Sequence, residues 1–369
     1  MNRPDWPALT ARYGWLRELA TVPQDPLWHG EGDVLTHTKM VLEALLTLPG
    51  YEALPAASQE ELRWAALLHD VEKRSTTKEE NGRIVSPNHA RRGEFTARRL
   101  LYVDEALPFA RRERICALVR WHGAPLWLLE RPRPERLLVA LSLRCDLNAL
   151  ALLAEADVRG RICSDQKELL ERVELFRLLA AEAGVLDGPA QFATPAARFH
   201  YLNHDDSPRD YVPYDDGRSF PVWLLSGLPG VGKDHFLREH WAGPVLSLDN
   251  LRHAAGIEPT DRKGNGLIIQ QAKEEAKRLL RARQPFAFNA TNISAELRGR
   301  WLELFHSYGA ATEMHYLEVP WRQLLAQNRA RPHPVPEAVI GHLLAKLELP
   351  LAAEAEQLYY HVRDEEPSC

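Results

Sequence analysis

The chain has 369 residues, 45% hydrophobic and 26% charged, with a formal net charge of −5. That length exceeds what one ordinary core supports, so two domains are expected. The acidic balance argues against a protein that coats long duplex DNA through many Lys and Arg contacts, though not against one that grips a strand end with a few local arginines.

In chain order, the opening Met-Asn-Arg-Pro-Asp-Trp lacks the apolar core of a signal peptide. No later apolar run approaches the roughly 18 residues of a membrane helix. Cys116, Cys145, Cys163 and Cys369 show no paired spacing, which fits a reducing compartment. The expectation is a cytoplasmic protein with no membrane partner.

Residues 1–185 read as almost entirely helical. After His37, the residues Val41, Ala44, Leu45 and Leu48 recur at helical spacing, as do Leu62, Ala65, Ala66 and His69 over 59–69. Further amphipathic stretches cover 89–102, 108–121, 135–158 and 164–184. Gly184 and Asp187-Gly188-Pro189 then mark a break. Residues 186–219 read as an ordered connector, because Phe192, Phe199, Tyr201, Tyr211 and Tyr214 would need burial.

From Phe220 the pattern changes. Apolar runs at 221–226, 245–248, 286–289 and 313–318 read as strands, separated by helical stretches such as 266–283 and 295–307. Strand–helix alternation predicts a parallel sheet covered by helices. The expected layout is a multidomain protein, with an all-α helical domain over 1–185, a connector over 186–219 and an α/β domain over 220–369.

Gly227-Leu-Pro-Gly230-Val231-Gly232-Lys233-Asp234 follows the first of these strands. Its glycines let successive backbone N–H groups turn onto phosphate oxygens, and its lysine reaches the outer phosphates. The following helix would add its N-terminus to the same anion. Asp234 stands where such loops usually carry a magnesium-ligating Ser or Thr; a carboxylate could hold the ion directly or through water. Asp249, after the second strand, either accepts a proton from an attacking hydroxyl or caps a helix. Arg252 could clamp an acceptor phosphate. Asn289 and Asn292 face the same crevice. Arg329 and Arg331, beside a proline-stiffened turn, could lower guanidinium groups onto the transferring phosphate.

In the helical half, His37 and His69 share stripes with apolar residues and so point inward. Asp70 follows His69 directly, and a buried carboxylate needs neutralising. A divalent cation answers both needs. His89 and His122 could complete a second metal site, since two close ions suit phosphate-ester hydrolysis. The last carboxylate is Asp146 or Asp157. These stand 11 residues apart, about 16 Å along one straight helix, so both cannot ligate one ion. Helical phase does not choose between them.

Residues 220–350 resemble the 5′-hydroxyl polynucleotide kinase family of P-loop phosphotransferases, through the 227–233 loop, Leu-Asp249-Asn-Leu-Arg252, Asn289-Ala-Thr-Asn292 and Asn-Arg329-Ala-Arg331. The resemblance implies that the loop, with Lys233, binds ATP or another NTP with Mg2+. It implies that Asp249 activates a 5′-OH and Arg252 contacts the phosphate beside the acceptor nucleotide, while Arg329 and Arg331 engage ATP. Residues 25–160 resemble the HD phosphohydrolase superfamily, most closely the HD domains attached to tRNA nucleotidyltransferases. The carrying runs are His29-Gly-Glu-Gly-Asp-Val-Leu-Thr-His37-Thr, Leu-Leu-His69-Asp70-Val-Glu-Lys73, Asn-His89-Ala-Arg-Arg-Gly and Ala-Asp157-Val-Arg-Gly-Arg161. This favours Asp157 over Asp146 as the terminal ligand. It implies one or two ions of Mn2+, Co2+, Ni2+ or Zn2+, a catalytic role for Asp70, and a substrate-phosphate contact for Lys73.

Together the halves resemble bacterial HD domain–polynucleotide kinase fusions. That resemblance implies an end-healing enzyme for RNA or DNA, which phosphorylates a 5′-OH and removes 2′,3′-cyclic, 2′ or 3′ phosphate, with a separate ligase sealing the product. Two other readings stay open at this point. One is a nucleoside or nucleotide kinase fused to an HD nucleotidase; the other is an ATP-gated regulatory module.

Overall fold

The computed structural model describes residues 4–214, 220–258 and 261–364. It divides into two compact units, Met1–Gln191 and Phe192–Cys369.

The first unit is helical. Its principal helices are α1 (Val34–Leu46), α2 (Ala56–Leu68), α3 (His89–Arg99), α4 (Phe109–Trp121) and α5 (Leu147–Arg159). Asp33 starts α1 by accepting a hydrogen bond from the Thr36 N–H, satisfying one of the donors a helix start leaves over. Val41, Leu45, Leu62, Ala66, Leu150 and Leu153 are fully buried where α1, α2 and α5 meet. Each large aliphatic side chain so buried contributes roughly 1.5–3 kcal/mol.

One expectation for this half needs correction. The stretch 135–158 is two helices, Pro134–Ser142 and α5, bent by 110°. The chain restarts at Asp146, whose side chain accepts from the Ala149 N–H and so caps α5. The half is otherwise helical, as expected, apart from one short hairpin. Lys78–Glu80 (β1) and Arg83–Val85 (β2) form an antiparallel hairpin. Its turn is Asn81-Gly82, both at positive φ, the dipeptide that favours two-residue hairpins.

The second unit holds a parallel sheet of β3 (Phe220–Ser226), β4 (Val245–Ser247), β5 (Phe286–Asn289), β6 (Ala310–Glu318) and β7 (Gln357–Val362), in the order β4-β5-β3-β6-β7. Val222, Leu224 and Leu225 of the central strand are wholly buried, as a parallel strand covered on both faces requires. The helices here are α6 (Lys233–His240), α7 (Leu248–Ala255), α8 (Arg262–Arg281), α9 (Ala295–Ser307) and α10 (Trp321–Arg329). Strand order reverses about β3, so the loop after Ser226 lies at the switch point where such sheets bind ligands. The edge strand β7 was not expected, because its Gln-Leu-Tyr-Tyr-His-Val is half polar and half exposed. In the stretch read as a connector, Pro195–Asn203 is a helix. Tyr201 is buried there, but Tyr211 is 45% exposed and Tyr214 is 92% exposed, against expectation. A phenol keeps its hydroxyl hydrated, so burial is not obligatory for it.

Candidate functional sites

In the first unit the ends of five helices converge. His37 lies in the first turn of α1, and His69 ends α2 with Asp70 next in the chain. His89 opens α3, His122 ends α4, and Asp157 lies in the last turn of α5. Asp70 is the centre. Its Oδ2 lies 3.3 Å from Nε2 of His69 and 3.7 Å from Nε2 of His37, and its Oδ1 lies 3.3 Å from Nε2 of His89 and 4.0 Å from Nε2 of His122. Asp157 Oδ1 lies 3.1 Å from Nε2 of His37. Asp146 is exposed at the far end of α5, occupied in capping, and is not brought to the cluster.

Each ring is aimed by its other nitrogen. Nδ1 of His69, His89 and His122 bonds the carbonyls of Ala66, Ser86 and Val119 at 2.8, 2.8 and 2.9 Å. A carbonyl only accepts, so Nδ1 carries the proton and Nε2 presents a lone pair inward. Nδ1 of His37 faces Oε1 of Glu31 at 2.9 Å and the Gly160 carbonyl at 3.2 Å. Glu31 also receives Nδ1 of His29 at 2.8 Å and the Ile162 N–H at 2.9 Å. Glu31 was not singled out from the sequence, although it lies inside the run that carries the resemblance.

Gly160 lets α5 approach α1. A Cβ on it would meet the Val41 backbone nitrogen at 2.7 Å and Val41 Cγ2 at 2.6 Å. That closeness brings Asp157 to His37.

Burial pushes the Asp70 carboxyl up, but Lys73 and His69 outweigh it and hold it well below the usual range. Burial also pushes Asp157 up, and Arg161 and His37 likewise hold it well down. Burial lowers His89 against the pull of Asp70, and with His69 and His89 nearby it pushes His122 down to about 3. Burial lowers His37 too, but Asp157 and Glu31 raise it overall.

The donor set fits divalent transition metals. His37, His69 and Asp70, and again Asp70, His89 and His122, each bring one donor atom within 4.8 Å of the others. Mixed imidazole nitrogen and carboxylate oxygen suits Mn2+, Co2+, Ni2+ or Zn2+, and the carbonyl-anchored Nδ1 atoms supply the outer orientation that ligating histidines need. Beside the cluster is a cavity of 460 Å3 lined by Lys73, His89 and Arg161 among others. Lys73 Nζ donates to Gln24 Oε1 at 2.7 Å and lies 2.8 Å from Asp70 Oδ2. Arg161 pairs with Asp157.

In the second unit, Gly227, Gly230 and Gly232 all adopt positive φ. At Gly227 (φ 147°) a Cβ would meet the Leu317 carbonyl at 2.5 Å, so only glycine fits. Val231 is buried beneath the loop. Lys233 Nζ donates to the carbonyls of Gly227 and Leu228 at 2.9 and 3.0 Å. Burial lowers its ammonium to about 8, with Asp249 and Asp234 pulling it back up and Arg331 lowering it further. Asp249, Asp234 and Arg331 therefore all lie within electrostatic reach of the loop lysine. Asp234 Oδ1 accepts from Asn289 Nδ2 at 2.6 Å, and a carboxylate there is a hard oxygen donor of the kind magnesium takes.

Asp249 does not cap its helix. Ser247 does, accepting from the Asn250 N–H, and Asp249 is an exposed first-turn residue paired with Arg252. Arg252 also donates to Asn265 Oδ1 at 2.8 Å. Arg329 is exposed and pairs with Glu337 at 2.6 Å. Asn292 points away from the crevice and donates to the Leu225 carbonyl at 2.7 Å, tying β3 to the chain after β5. Asn328, not singled out from the sequence, is 1% exposed. It donates to the Val335 carbonyl and accepts from the Val335 N–H, at 2.7 and 3.0 Å. It thus closes the turn that carries Arg331.

These sites and folds define a protein with two phosphate-handling modules. Residues 34–158 match the family model described as an HD domain, and residues 222–350 match one described as an AAA domain. The chain carries an HD domain followed by a P-loop kinase-like domain, the hydrolase-type and kinase-type parts of an enzyme. It is similar to the Multifunctional CCA protein of Halorhodospira halophila, at 41% identity over 103 residues, 27% of this chain and 22% of that protein. For the proteins of the same name from Thioalkalivibrio sulfidiphilus and Ralstonia nicotianae, identity is 30% and 32%, over 42% and 46% of this chain and 37% and 38% of theirs. The chain thus spans about a fifth to two-fifths of these relatives' length. Among solved structures, a chain of a Pnkp1/Rnl/Hen1 complex is similar over 34% of this chain and 44% of its own, with TM-score 0.29 and 18% identity. A candidate kinase from Chloroflexus aurantiacus is similar over 39% and 86%, with TM-score 0.33 and 15% identity. Among the described residues no single helix is long and apolar enough to cross a membrane.

Proposed function

We propose that this chain heals broken nucleic-acid ends, phosphorylating a 5′-OH with ATP in one unit and removing a 2′,3′-cyclic, 2′ or 3′ phosphate in the other. The observation that carries the reading is that each unit has its own phosphate chemistry. One is the Asp70-centred donor cluster; the other is the glycine loop with Lys233, Asp249 and Arg252. A break made by transesterification leaves a cyclic phosphate and a 5′-OH, and these two chemistries restore the ends a ligase joins.

In the kinase unit, backbone N–H groups of 227–233 and the start of α6 cradle the triphosphate. Lys233 and Arg331 draw charge from the outer phosphates. Asp234 would hold the magnesium that accompanies ATP, directly or through water. Asp249 accepts the proton as the 5′-oxygen bonds to the γ-phosphorus and the bond to the β-bridging oxygen breaks, releasing ADP. Arg252, held by Asp249 and Asn265, orients the acceptor end. In the HD unit, His37, His69, Asp70 and Asp157 would hold one divalent ion, and Asp70, His89 and His122 a second. Such ions supply charge neutralisation at phosphate oxygens and acidify water. Lys73 and Arg161 bind phosphate oxygens, and the carbonyl-anchored rings keep the donors aimed. Water opens one P–O bond of a cyclic end, and a second hydrolysis releases inorganic phosphate. The partners are RNA or DNA ends and a separate ligase; the location is the cytoplasm.

The test is a short RNA with a 5′-OH and a 2′,3′-cyclic phosphate, incubated with ATP and Mg2+ or Mn2+ and weighed at both ends by mass spectrometry. Both ends should change, the 5′ gain being lost in Asp249→Ala and the 3′ loss in Asp70→Ala. Unchanged ends with consumption of free nucleotides would replace this reading with a nucleotide kinase and nucleotidase.

A further inference from the structure

The cavity beside the Asp70 cluster has a mixed lining. Its polar residues include Lys73, His89 and Arg161, within or next to the donor cluster, together with Gln24, Asp25, Ser86 and Asp165. Trp28 and Trp127 line it too. Both indoles are unusually open for their size, at 42% and 44% exposure, in a unit whose Trp15 is buried. Neither is loosely held. Trp28 lies on a turn whose Trp28 and His29 N–H groups both bond the Asp25 carbonyl, at 3.1 and 2.8 Å. His29 then bonds Glu31, which holds His37. The ring of Trp127 has the Arg172 guanidinium over it at 5.1 Å, and Arg172 is itself tied to Glu130 and Glu168. A volume of 460 Å3 is that of a small-ligand site. Flat indoles, one carried on a bonded turn and one beneath a guanidinium, in the same cavity as Lys73 and Arg161 match the two parts of a nucleotide, whose base stacks where its phosphate is bound.

We propose that Trp28 and Trp127 receive the base of the terminal nucleotide whose phosphate the HD unit removes. The inference rests on the hydrolytic half of the function proposed above, and it makes these tryptophans determinants of substrate choice. Stacking accepts any base through its π-face, so the preference is for a base over none rather than for one base over another. A sugar phosphate or an abasic end would reach Lys73 and Arg161 without the aromatic hold.

The experiment uses the full chain with divalent metal and two RNA oligonucleotides bearing the same 3′-phosphate, one ending in an adenosine residue and one in an abasic residue. The wild-type protein should show a KM about tenfold or more lower for the base-bearing end, from the usual strength of base–aromatic stacking. Trp28→Ala and Trp127→Ala should shrink that ratio toward one through KM, with kcat on the base-bearing end far less affected. Trp28→Phe and Trp127→Phe should restore much of it. Equilibrium binding of the dephosphorylated and phosphorylated oligonucleotides gives the same comparison without turnover, and thermal melting verifies that each variant is folded. Equal KM for both ends in the wild type, or a ratio that survives in folded alanine variants, overturns the inference while leaving the end-healing reading standing. Failure of the wild type to dephosphorylate either oligonucleotide, with turnover of other phosphate esters, overturns that reading and this inference with it.

Discussion

Oδ1 of Asp70 faces Nε2 of His89 at 3.3 Å, on the opposite oxygen from the one that His69, His37 and Lys73 share. One carboxylate therefore joins two groups of donors. Metal content should report this directly. His89→Ala and His122→Ala should lower bound Mn2+ or Zn2+ from about two ions per chain to about one, whereas Asp70→Ala should abolish tight binding of both. Elemental analysis after gel filtration would decide it. Equal loss of metal in all three variants would mean that the two groups do not bind separately.

Glu31 touches the far nitrogen of His37, so it acts on a ligand without facing Asp70. Burial pushes its carboxyl up, but bonds from His29 and His37 outweigh that and hold it ionised. Glu31→Gln weakens one of the two bonds, Asp157 supplying the larger, that make His37 more basic. Metal affinity, measured by competition with a chelator, should fall about 10–100-fold. Unchanged affinity would reduce Glu31 to a tie between its loop and Ile162.

Gly160→Ala should separate α5 from α1. Its backbone φ of −80° suits any residue, so the effect is crowding alone. The added methyl meets the Val41 backbone, which cannot rotate away as a side-chain tip could. A cost of about 1–3 kcal/mol is expected from overpacking. Metal binding should fall as well, because Asp157 withdraws from His37. A melting curve and a metal titration on one sample would show whether the two losses go together.

Asn328→Ala strips both partners from Val335, removing a carboxamide that is itself buried. The loss should cost about 1–3 kcal/mol and raise the KM for ATP, since Arg331 would no longer be carried on a closed turn. Hydrolysis by the HD unit is the control. A normal KM in the folded variant would show that the turn holds its shape by its prolines.

Much of this was legible because it is periodic or local. The helical stripes through His37 and His69 and the apolar runs of the sheet announce which side chains go inward. The glycine loop declares its own backbone geometry. What stayed hidden depends on who meets whom across the chain. Asp146 and Asp157 share a helix, and only the packing of its Asp157 end against α1 separates a ligand from a cap. Asp249 and Ser247 compete for one cap, and two residues of offset decide it. Arg329 carries the same charge as Arg331, and its pairing with Glu337, eight residues on, is not readable from that charge. Asn328 looks like any polar helix residue until its carboxamide is seen matched to both polar groups of Val335. The hairpin at β1 and β2 was readable from Asn81-Gly82, and its charged strands concealed it.

His69 and His122 each follow the final residue of a helix, and each ring spends its proton on a carbonyl three residues back. Those carbonyls are among the ones a helix end leaves without an internal partner. The same proton thus finishes the helix and chooses the tautomer. Replacing either ring with glutamine or asparagine, which could still offer a donor atom toward Asp70, would leave α2 or α4 with an unsealed end. A substitution at either position therefore acts on secondary structure and on coordination at once.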